Sequence, residues 1–442
     1  MNKQAWIEKA KELGLESFEI YQSLSASKEM TWYEHAMDTF VTSKILGTSL
    51  RGIVDGNVAM IALEQVDDSK MDSVLKQLVD QAKTIQTPEK VVFATPNPLE
   101  EKAVSSRQWV QPSMQQVEKT MDKIEEKCLA YDPRIVQVGY LGYEEGKGAR
   151  EITNSLGLHL EDEDQVQYLV CSIVALENGV YKDATKVEVV ENFDTFDIDA
   201  FVKEVCQEAL DQLGACSIPS TTCPIILEKD AMSSLFGAYA GLFSGDLIAK
   251  GISPIAKDLG KKIFSEQVSV IDDPRDPNAL SIANFDDEGV LTKRKVLVDH
   301  GVFEQALYDI KSAIKMNTES TGNGFKSGYA SPVSVQPMNL SIVPGEKDLD
   351  GLMEQMQNGL VITDLMGLHA GIHFVSTQFS LQASGYRVKD GKRSEPVTLI
   401  TIAGTFLDLM NHVVAIGNDM DWTYKQVVCP SILFEKCAVS GE

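Results

Sequence analysis

Apolar residues recur at helical spacing in two long stretches of this chain. One stripe carries Met71, Val74, Leu75, Leu78, Val79, Ala82 and Ile85, and the other carries Ile198, Phe201, Val202, Val205, Cys206, Ala209, Leu210 and Leu213. A stripe of that period buries one face of a helix and leaves the other to solvent. Each stripe follows short segments that alternate or run apolar, the pattern of strands. From Phe18 to Leu63 these segments are punctuated by Gly47, Gly52 and Gly56, which predicts several strands joined by tight turns. From Ile135 to Val190 the punctuation is Gly142, Gly146, Gly157 and the turn Glu177-Asn178-Gly179. Two further helices are predicted, over Met1–Gly14 and Met114–Ala130. Thr87-Pro88 stops the first striped helix, and the stretch through Pro96 and Pro98 reads as a linker.

Strands closed by an amphipathic helix therefore occur twice, as a duplication or as two unrelated α+β units. After Ser217 the texture changes. One apolar, small-residue helix is predicted over Ala231–Ser244. Many short strands with Gly- and Asp-rich turns follow, and only one more helix is predicted, near Leu349–Gln357. Strands without regular βαβ alternation argue for an antiparallel arrangement. The predicted fold class is α+β: N-terminal α/β units followed by a largely antiparallel β C-terminal domain with a few helices. The expected domains are residues 1–95, 96–217 and 218–442.

Charge narrows the function. The 442 residues hold 65 acidic and 40 basic side chains, a net charge of −25. Phosphate backbones are bound by clustered Lys and Arg. The densest basic run is Lys293-Arg294-Lys295, followed soon by Asp299, so no nucleic-acid partner is expected. The N-terminal segment lacks the apolar core of a signal peptide. The most apolar stretch, Leu235–Phe243, is far shorter than the roughly 18 residues a bilayer requires, so no membrane partner is expected. The seven cysteines (128, 171, 206, 216, 223, 429 and 437) form no C-x-x-C pair and read as core residues of a reducing compartment. The expected location is the cytoplasm.

Complete catalytic constellations are missing from the sequence. Ser244 lacks the paired glycines of a nucleophile elbow. The run Thr321-Gly322-Asn323-Gly324-Phe325 lacks the Gly-Lys-Ser/Thr ending of a phosphate loop and reads as a glycine turn. His369 and His373 have metal-like i, i+4 spacing, but Ala370 stands where a zinc peptidase of that spacing needs its glutamate. They remain metal-ligand candidates beside the reading as a turn whose imidazoles cap backbone groups. The acidic groups Asp272-Asp273-Pro274, Asp286-Asp287-Glu288-Gly289 and Asp419 with Asp421 allow a Mg²⁺ or Ca²⁺ site, an acid/base pair, or turns in which carboxylates satisfy backbone N–H groups.

A series of short motifs in the C-terminal half resembles the TldD/PmbA family, in the family's order. It runs Phe243-Ser244-Gly245-Asp246, Lys250-Gly251, Leu259-Gly260, Ile263-Phe264-Ser265 and Ile271-Asp272-Asp273-Pro274. It continues through Phe285-Asp286-Asp287-Glu288-Gly289, Ser320-Thr321-Gly322-Asn323, Phe379-Ser380, Ala383-Ser384-Gly385 and Ile402-Ala403-Gly404. It closes with Val414-Ala415-Ile416-Gly417-Asn418-Asp419 and Pro430-Ser431. The resemblance implies a cytosolic two-subunit zinc peptidase system, also named modulator of DNA gyrase, that acts on unfolded peptides. One subunit, TldD, carries H-E-x-x-x-H on a helix and a further cysteine ligand, and its partner, TldE or PmbA, lacks them. With Gly245-Asp246 as anchor, the histidine positions fall at Phe236 and Gly241 and the glutamate at Gly237. The cysteine position falls near Gly417 to Asp419. The resemblance is therefore to TldE/PmbA. It implies no cofactor in this chain, zinc in a TldD-like partner, and either a heterodimer with that partner or a homodimer. A stand-alone metallopeptidase using His369, His373 and nearby carboxylates, and a peptide-binding homodimer without catalysis, are the alternatives.

Overall fold

The computed structural model describes residues 1–85, 91–97 and 102–442. The predicted helix stop at Thr87-Pro88 and the linker residue Pro98 lie outside the described residues. The N-terminal half runs α1 (Lys3–Glu12), β1 (Ser17–Tyr33), β2 (Ala36–Val54), β3 (Asn57–Leu63), α2 (Met71–Thr84), α3 (Met114–Tyr131), β4 (Ile135–Asn154), β5 (His159–Glu177), β6 (Val180–Val189) and α4 (Ile198–Asp211). Helix, three strands, helix is thus repeated in order. The two sets of strands join in one six-stranded sheet, β3-β2-β1-β4-β5-β6, with β1 antiparallel to β4 from Glu19↔Asn154 to Thr31↔Gly142. The units expected over 1–95 and 96–217 share this sheet.

The strands are longer than the glycine punctuation suggests. Gly47 and Gly52 lie inside β2, and Gly142 and Gly146 inside β4. At Gly47 a Cβ would come within 2.0 Å of the Tyr329 ring, and at Gly52 within 2.6 Å of Leu15. These glycines let side chains cross the strand. Four residues from Ser155 to Leu158 join β4 to β5, while three of the hairpin turns are two-residue turns with both φ positive: Glu34-His35, Asp55-Gly56 and Asn178-Gly179. That geometry matches the right-handed twist of the flanking strands.

Alternation along β1 sends Phe18 and Ile20 into a core beneath α1 and α2, and Met30 and Trp32 into one beneath α3 and α4. Glu19 and Tyr21 point to the opposite face, where the C-terminal domain sits. Capping helps fix the helices: Ser113 and Gln116 form a capping box on α3, and Asp197 accepts from the Ala200 N–H on α4.

The C-terminal half runs β7 (Thr221–Leu227), α5 (Lys229–Tyr239), a 3₁₀ turn (Ala240–Phe243), α6 (Gly245–Ala249), β8 (Val270–Asp272), β9 (Lys295–Asp299), β10 (Val302–Phe303) and α7 (Ile310–Met316). Next come β11 (Gly324–Phe325), β12 (Ser334–Val335), β13 (Leu340–Ile342), α8 (Leu349–Met356), β14 (Gly359–Met366), α9 (Leu368–Gly371) and β15 (Ile372–His373). The chain ends with β16 (Gln378–Lys389), β17 (Lys392–Thr405), α10 (Phe406–Asn411), β18 (Val413–Ile416), β19 (Val427–Val428) and β20 (Ile432–Ser440). The α+β class is the observed one, and pairing in this half is mostly antiparallel. The order β14-β7-β20-β17-β16, with β14 also paired to β16, closes a ring of strands. Ile225 and Leu227 of β7 enter the main core with α5, while Ile226 packs on the other side against Leu352 and Met353 of α8. The helix expected over Ala231–Ser244 is α5 plus the 3₁₀ turn, and the one expected near Leu349–Gln357 is α8. The short helices α6, α7, α9 and α10 are additional, because four to seven residues are too few to show a stripe. No described helix is long and apolar enough to cross a membrane.

Candidate functional site

The segment that corresponds to the zinc-ligand helix is α5 with its 3₁₀ extension. Glu228 caps α5, its carboxylate accepting from the Asp230 N–H at 3.2 Å. One face of the helix is buried through Ala231, Met232, Leu235, Phe236 and Tyr239. Phe236 is 1% exposed. Its ring lies 5.8 Å from Phe406 and 6.4 Å from Phe243. Tyr239 stacks on Phe406 at 4.5 Å and sends its hydroxyl to the Gln378 carbonyl at 2.7 Å. Phe264 meets Phe406 edge-on at 6.1 Å. A Cβ on Gly241 would sit 3.3 Å from both Leu247 and Phe374. Phenylalanine and glycine supply no donor to Zn²⁺, whose ligands are thiolate, imidazole or carboxylate. Zinc does not fit here: aromatic rings fill the space. At the cysteine position, a Cβ on Gly417 would meet Asp419 Oδ1 at 2.7 Å and the Ser431 carbonyl at 3.0 Å.

The other metal candidates are dispersed. His369 lies in the four-residue α9 and His373 in β15, so the change of element breaks the i, i+4 alignment. Both are exposed, and His373 Nδ1 lies 2.8 Å from the Ser376 hydroxyl in a local turn. Asp419 binds Ser431 through both the backbone N–H (2.8 Å) and the hydroxyl (2.6 Å), and Ser431 Oγ in turn accepts from the Lys229 N–H. Asp421 is exposed. All seven cysteines are free, and only Cys216 is exposed.

The remaining carboxylates form a buried ionic clamp between the domains. Asp286 accepts from the Glu288 and Val290 N–H groups and from the Gly324 N–H, as a turn-building aspartate does. Its neighbours bind cations from the N-terminal sheet. Asp287 pairs with Arg150 of β4 at 3.0 Å, and Arg150 also donates to the Phe285 carbonyl. Glu288 pairs with Arg51 of β2 at 3.4 Å, while Arg51 Nε donates to Glu19 of β1 at 2.7 Å. Lys326 lies over the Tyr21 ring and donates to Ser49 at 2.9 Å. Its burial lowers the ammonium to about 8.

A second buried pair, Asp272 and Lys295 at 2.9 Å, is tied in by Asn323, which accepts from Lys295 and donates to Asp272. The glycine turn 321–325 thus joins both sets of carboxylates, through Asn323 and the Gly324 N–H. A Cβ on Gly324 would stand 2.7 Å from Glu288 Oε2. Every carboxylate from 286 to 288 is committed to a protein donor. Their partners Arg51 and Arg150, and Glu19 bound to Arg51, were not marked by sequence pattern, because each sits in an ordinary strand.

Among the described residues, three metal-capable side chains come together only at His35, Asp122 and Glu125. Glu125 accepts from the Glu34 and His35 N–H groups at 3.1 and 2.8 Å, and Asp122 lies 2.8 Å from His35 Nδ1. This holds two non-glycine residues in the positive-φ turn, a conformation that costs energy.

Glu228 offers a pH test. Burial, then the nearby charge of Asp230, pushes its carboxyl from 4.5 up to about 7. The folded state therefore holds this proton to higher pH than the unfolded chain. The associated stability is complete below pH 4.5 and is lost as pH rises to about 7. Glu228→Gln is expected to be more stable than the parent on the alkaline side, by about 1–2 kcal/mol, with no gain at acidic pH. Urea unfolding of both proteins across that range checks it, and equal pH dependence would reject it.

The fold and these motifs place the chain in a known class. Residues 220–441 match the PmbA/TldA metallopeptidase C-terminal domain and residues 108–213 the central domain, so the chain belongs to the PmbA/TldD family. A Haemophilus influenzae protein named a metalloprotease PmbA homolog is 26% identical over 318 residues, covering 72% of this chain and 68% of its own. A Thermotoga maritima structure named for modulation of DNA gyrase superposes with a TM-score of 0.88 at 26% identity, covering 99% of each chain. TldE from Thermococcus kodakarensis shares the fold at a TM-score of 0.88 and 22% identity, covering 99% of this chain and 100% of its own.

Proposed function

We propose that this chain is the non-catalytic, TldE/PmbA-like subunit of a cytosolic zinc metallopeptidase pair. Its partner would be a TldD-like chain that holds the zinc, and the pair would process unfolded peptides. The observation that carries this reading is the packing of Phe236, Gly237 and Gly241. A catalytic zinc needs three protein ligands and an open position; these residues offer no donor, and Phe236 is packed among Phe243 and Phe406. His369 and His373 do not replace the ligands, since they stand exposed on different elements.

The chain purified without chelators is expected to carry substoichiometric zinc and to leave unfolded peptides intact. Mixed with a TldD-like chain from the same genome, it is expected to form a complex that cleaves them, with His373→Ala indistinguishable from the parent. Stoichiometric zinc on the chain alone, lost in His373→Ala, would overturn the proposal in favour of a stand-alone metallopeptidase. Failure to bind the TldD-like chain would leave the homodimeric peptide binder as the better reading.

A further inference from the structure

The turn Glu34-His35, at the tip of the β1–β2 hairpin, folds back onto α3. Just before the tip, Met30 and Trp32 share a core with Val117, Met121, Ile124 and Cys128 of that helix, which fixes the turn against it. Three metal-ligating groups converge beside this contact. His35 Nδ1 stands 2.8 Å from Asp122 Oδ1 and 3.7 Å from Glu125 Oε2, and the three ligand atoms lie within 4.8 Å of one another. Asp122 and Glu125 are three residues apart, so they lie on one face of α3. Donors held at about 2.0–2.2 Å around one tetrahedral or octahedral ion stand roughly 3.0–3.6 Å from each other. The two separations from His35 bracket that spacing before any side chain moves.

The charges at this place are unbalanced. Among the described residues the buried glutamates are Glu19, Glu125, Glu145 and Glu288. Glu19 and Glu288 face Arg51, and Glu145 faces Lys28. Glu125, 5% exposed, meets neither Lys nor Arg among the described residues, and its ion-pair partner is His35. Its two oxygens accept the Glu34 and His35 N–H groups, and each keeps a further lone pair. Asp122 likewise pairs with His35. Glu126 adds its negative charge to the same imidazole. A neutral imidazole leaves these carboxylates without a counter-charge, and a carboxylate taken out of water without one is costly. A divalent cation supplies the missing charge through the same atoms.

We propose that His35 Nδ1, Asp122 and Glu125 form a binding site for a divalent transition-metal cation of the zinc type, which ties the β1–β2 turn to α3. One nitrogen and two oxygen ligands, completed by water, suit such an ion. The His35 and Asp122 side chains are 56% and 48% exposed, so the ion exchanges with solvent and the site fills from added metal instead of holding it through purification. The site is independent of the subunit reading: it lies in the N-terminal half and shares no residue with α5, His369 or His373.

The test titrates Zn²⁺ into the full chain, stripped with chelator and dialysed free of it, by isothermal titration calorimetry at neutral pH. One saturable Zn²⁺ per chain is expected. His35→Ala and Asp122→Asn are each expected to weaken it about tenfold or more, whereas His373→Ala is expected to bind like the parent. Asp122→Asn keeps the side-chain shape at a half-exposed position, so its loss of binding reports the ligand and not the fold. In ¹⁵N-histidine spectra, added Zn²⁺ is expected to shift His35 Nδ1 while Nε2 keeps its proton. A chain that binds no Zn²⁺ saturably overturns the proposal and leaves a protonated His35 as the only counter-charge. Binding that survives both His35→Ala and Asp122→Asn also overturns it, as does binding lost in His373→Ala, which instead speaks against the subunit reading.

Discussion

Replacing Arg51 with methionine is expected to lower the free energy of unfolding by about 3–5 kcal/mol. Methionine matches much of the arginine stem, so packing loss is small. What disappears is the guanidinium between Glu19 and Glu288, which are 0% and 3% exposed. Two carboxylates then face each other out of water. Burial already pushes Glu288 above the ordinary carboxylate range and Arg51 pulls it back; without the cation, Glu288 must take a proton to remain buried. The deficit should therefore widen as pH rises, since the unfolded chain ionises both acids freely. Guanidinium unfolding at acidic and alkaline pH measures it. Arg51→Lys, which keeps the charge but not the two-pronged donor geometry, is expected to fall between. A methionine variant within about 1 kcal/mol of the parent at alkaline pH would show that the clamp is structurally dispensable.

The clamp also shows what the sequence could and could not disclose. Stripes such as Leu75-Leu78-Val79-Ala82 marked helices, because their partners lie on one local face. The family motifs marked Asp286, Asp287 and Glu288 as belonging together. Their cations could not be read: Arg51 and Glu288 are 237 residues apart in sequence, and Arg51 occupies a strand position like any other. Period-two alternation alone sends Glu19 and Arg51 to the same face, but nothing local says that a second domain will cover it. Glycine misled in the opposite direction. Gly47 and Gly52 looked like turns, yet they lie within a strand that Tyr329 and Leu15 cross. Backbone freedom and absence of a side chain leave the same letter in the sequence.

The two conspicuous motifs, Phe285–Gly289 and Thr321–Phe325, therefore have a structural explanation that requires no ligand. They bind the C-terminal domain to the six-stranded sheet and to each other, through the Gly324 N–H on Asp286. In the segment that corresponds to the zinc-ligand helix of TldD, aromatic rings close the structure by packing instead. A site that carries no charge can be closed by packing, whereas a domain junction lined by Glu19, Arg51 and Arg150 must be closed by matching charges, since an unpaired buried charge costs several kcal/mol.

Lys295 provides the sharpest test of that rule. It is 2% exposed and its ammonium is surrounded by Asp272 Oδ2 at 2.9 Å, Asn323 Oδ1 at 2.8 Å and the Thr321 carbonyl at 3.2 Å. Lys295→Met is expected to cost about 3–5 kcal/mol, because Asp272 is left fully buried with a charge and no cation. Asp272 keeps the Asn323 amide at 3.1 Å and the Met338 N–H at 2.6 Å, so the loss comes from the missing charge more than from missing donors. Burial raises the Asp272 carboxyl, and Lys295 opposes this. In the variant the carboxyl rises further, so the protein is relatively most stable at acidic pH and loses that stability as pH climbs. Combining Lys295→Met with Asp272→Asn removes both charges and is expected to recover about 1 kcal/mol or more over the single variant at neutral pH. A double-mutant cycle by chemical unfolding decides the matter. Additive losses would mean that the two side chains stabilise the fold independently and that the buried pair is not the unit that holds the turn 321–325 in place.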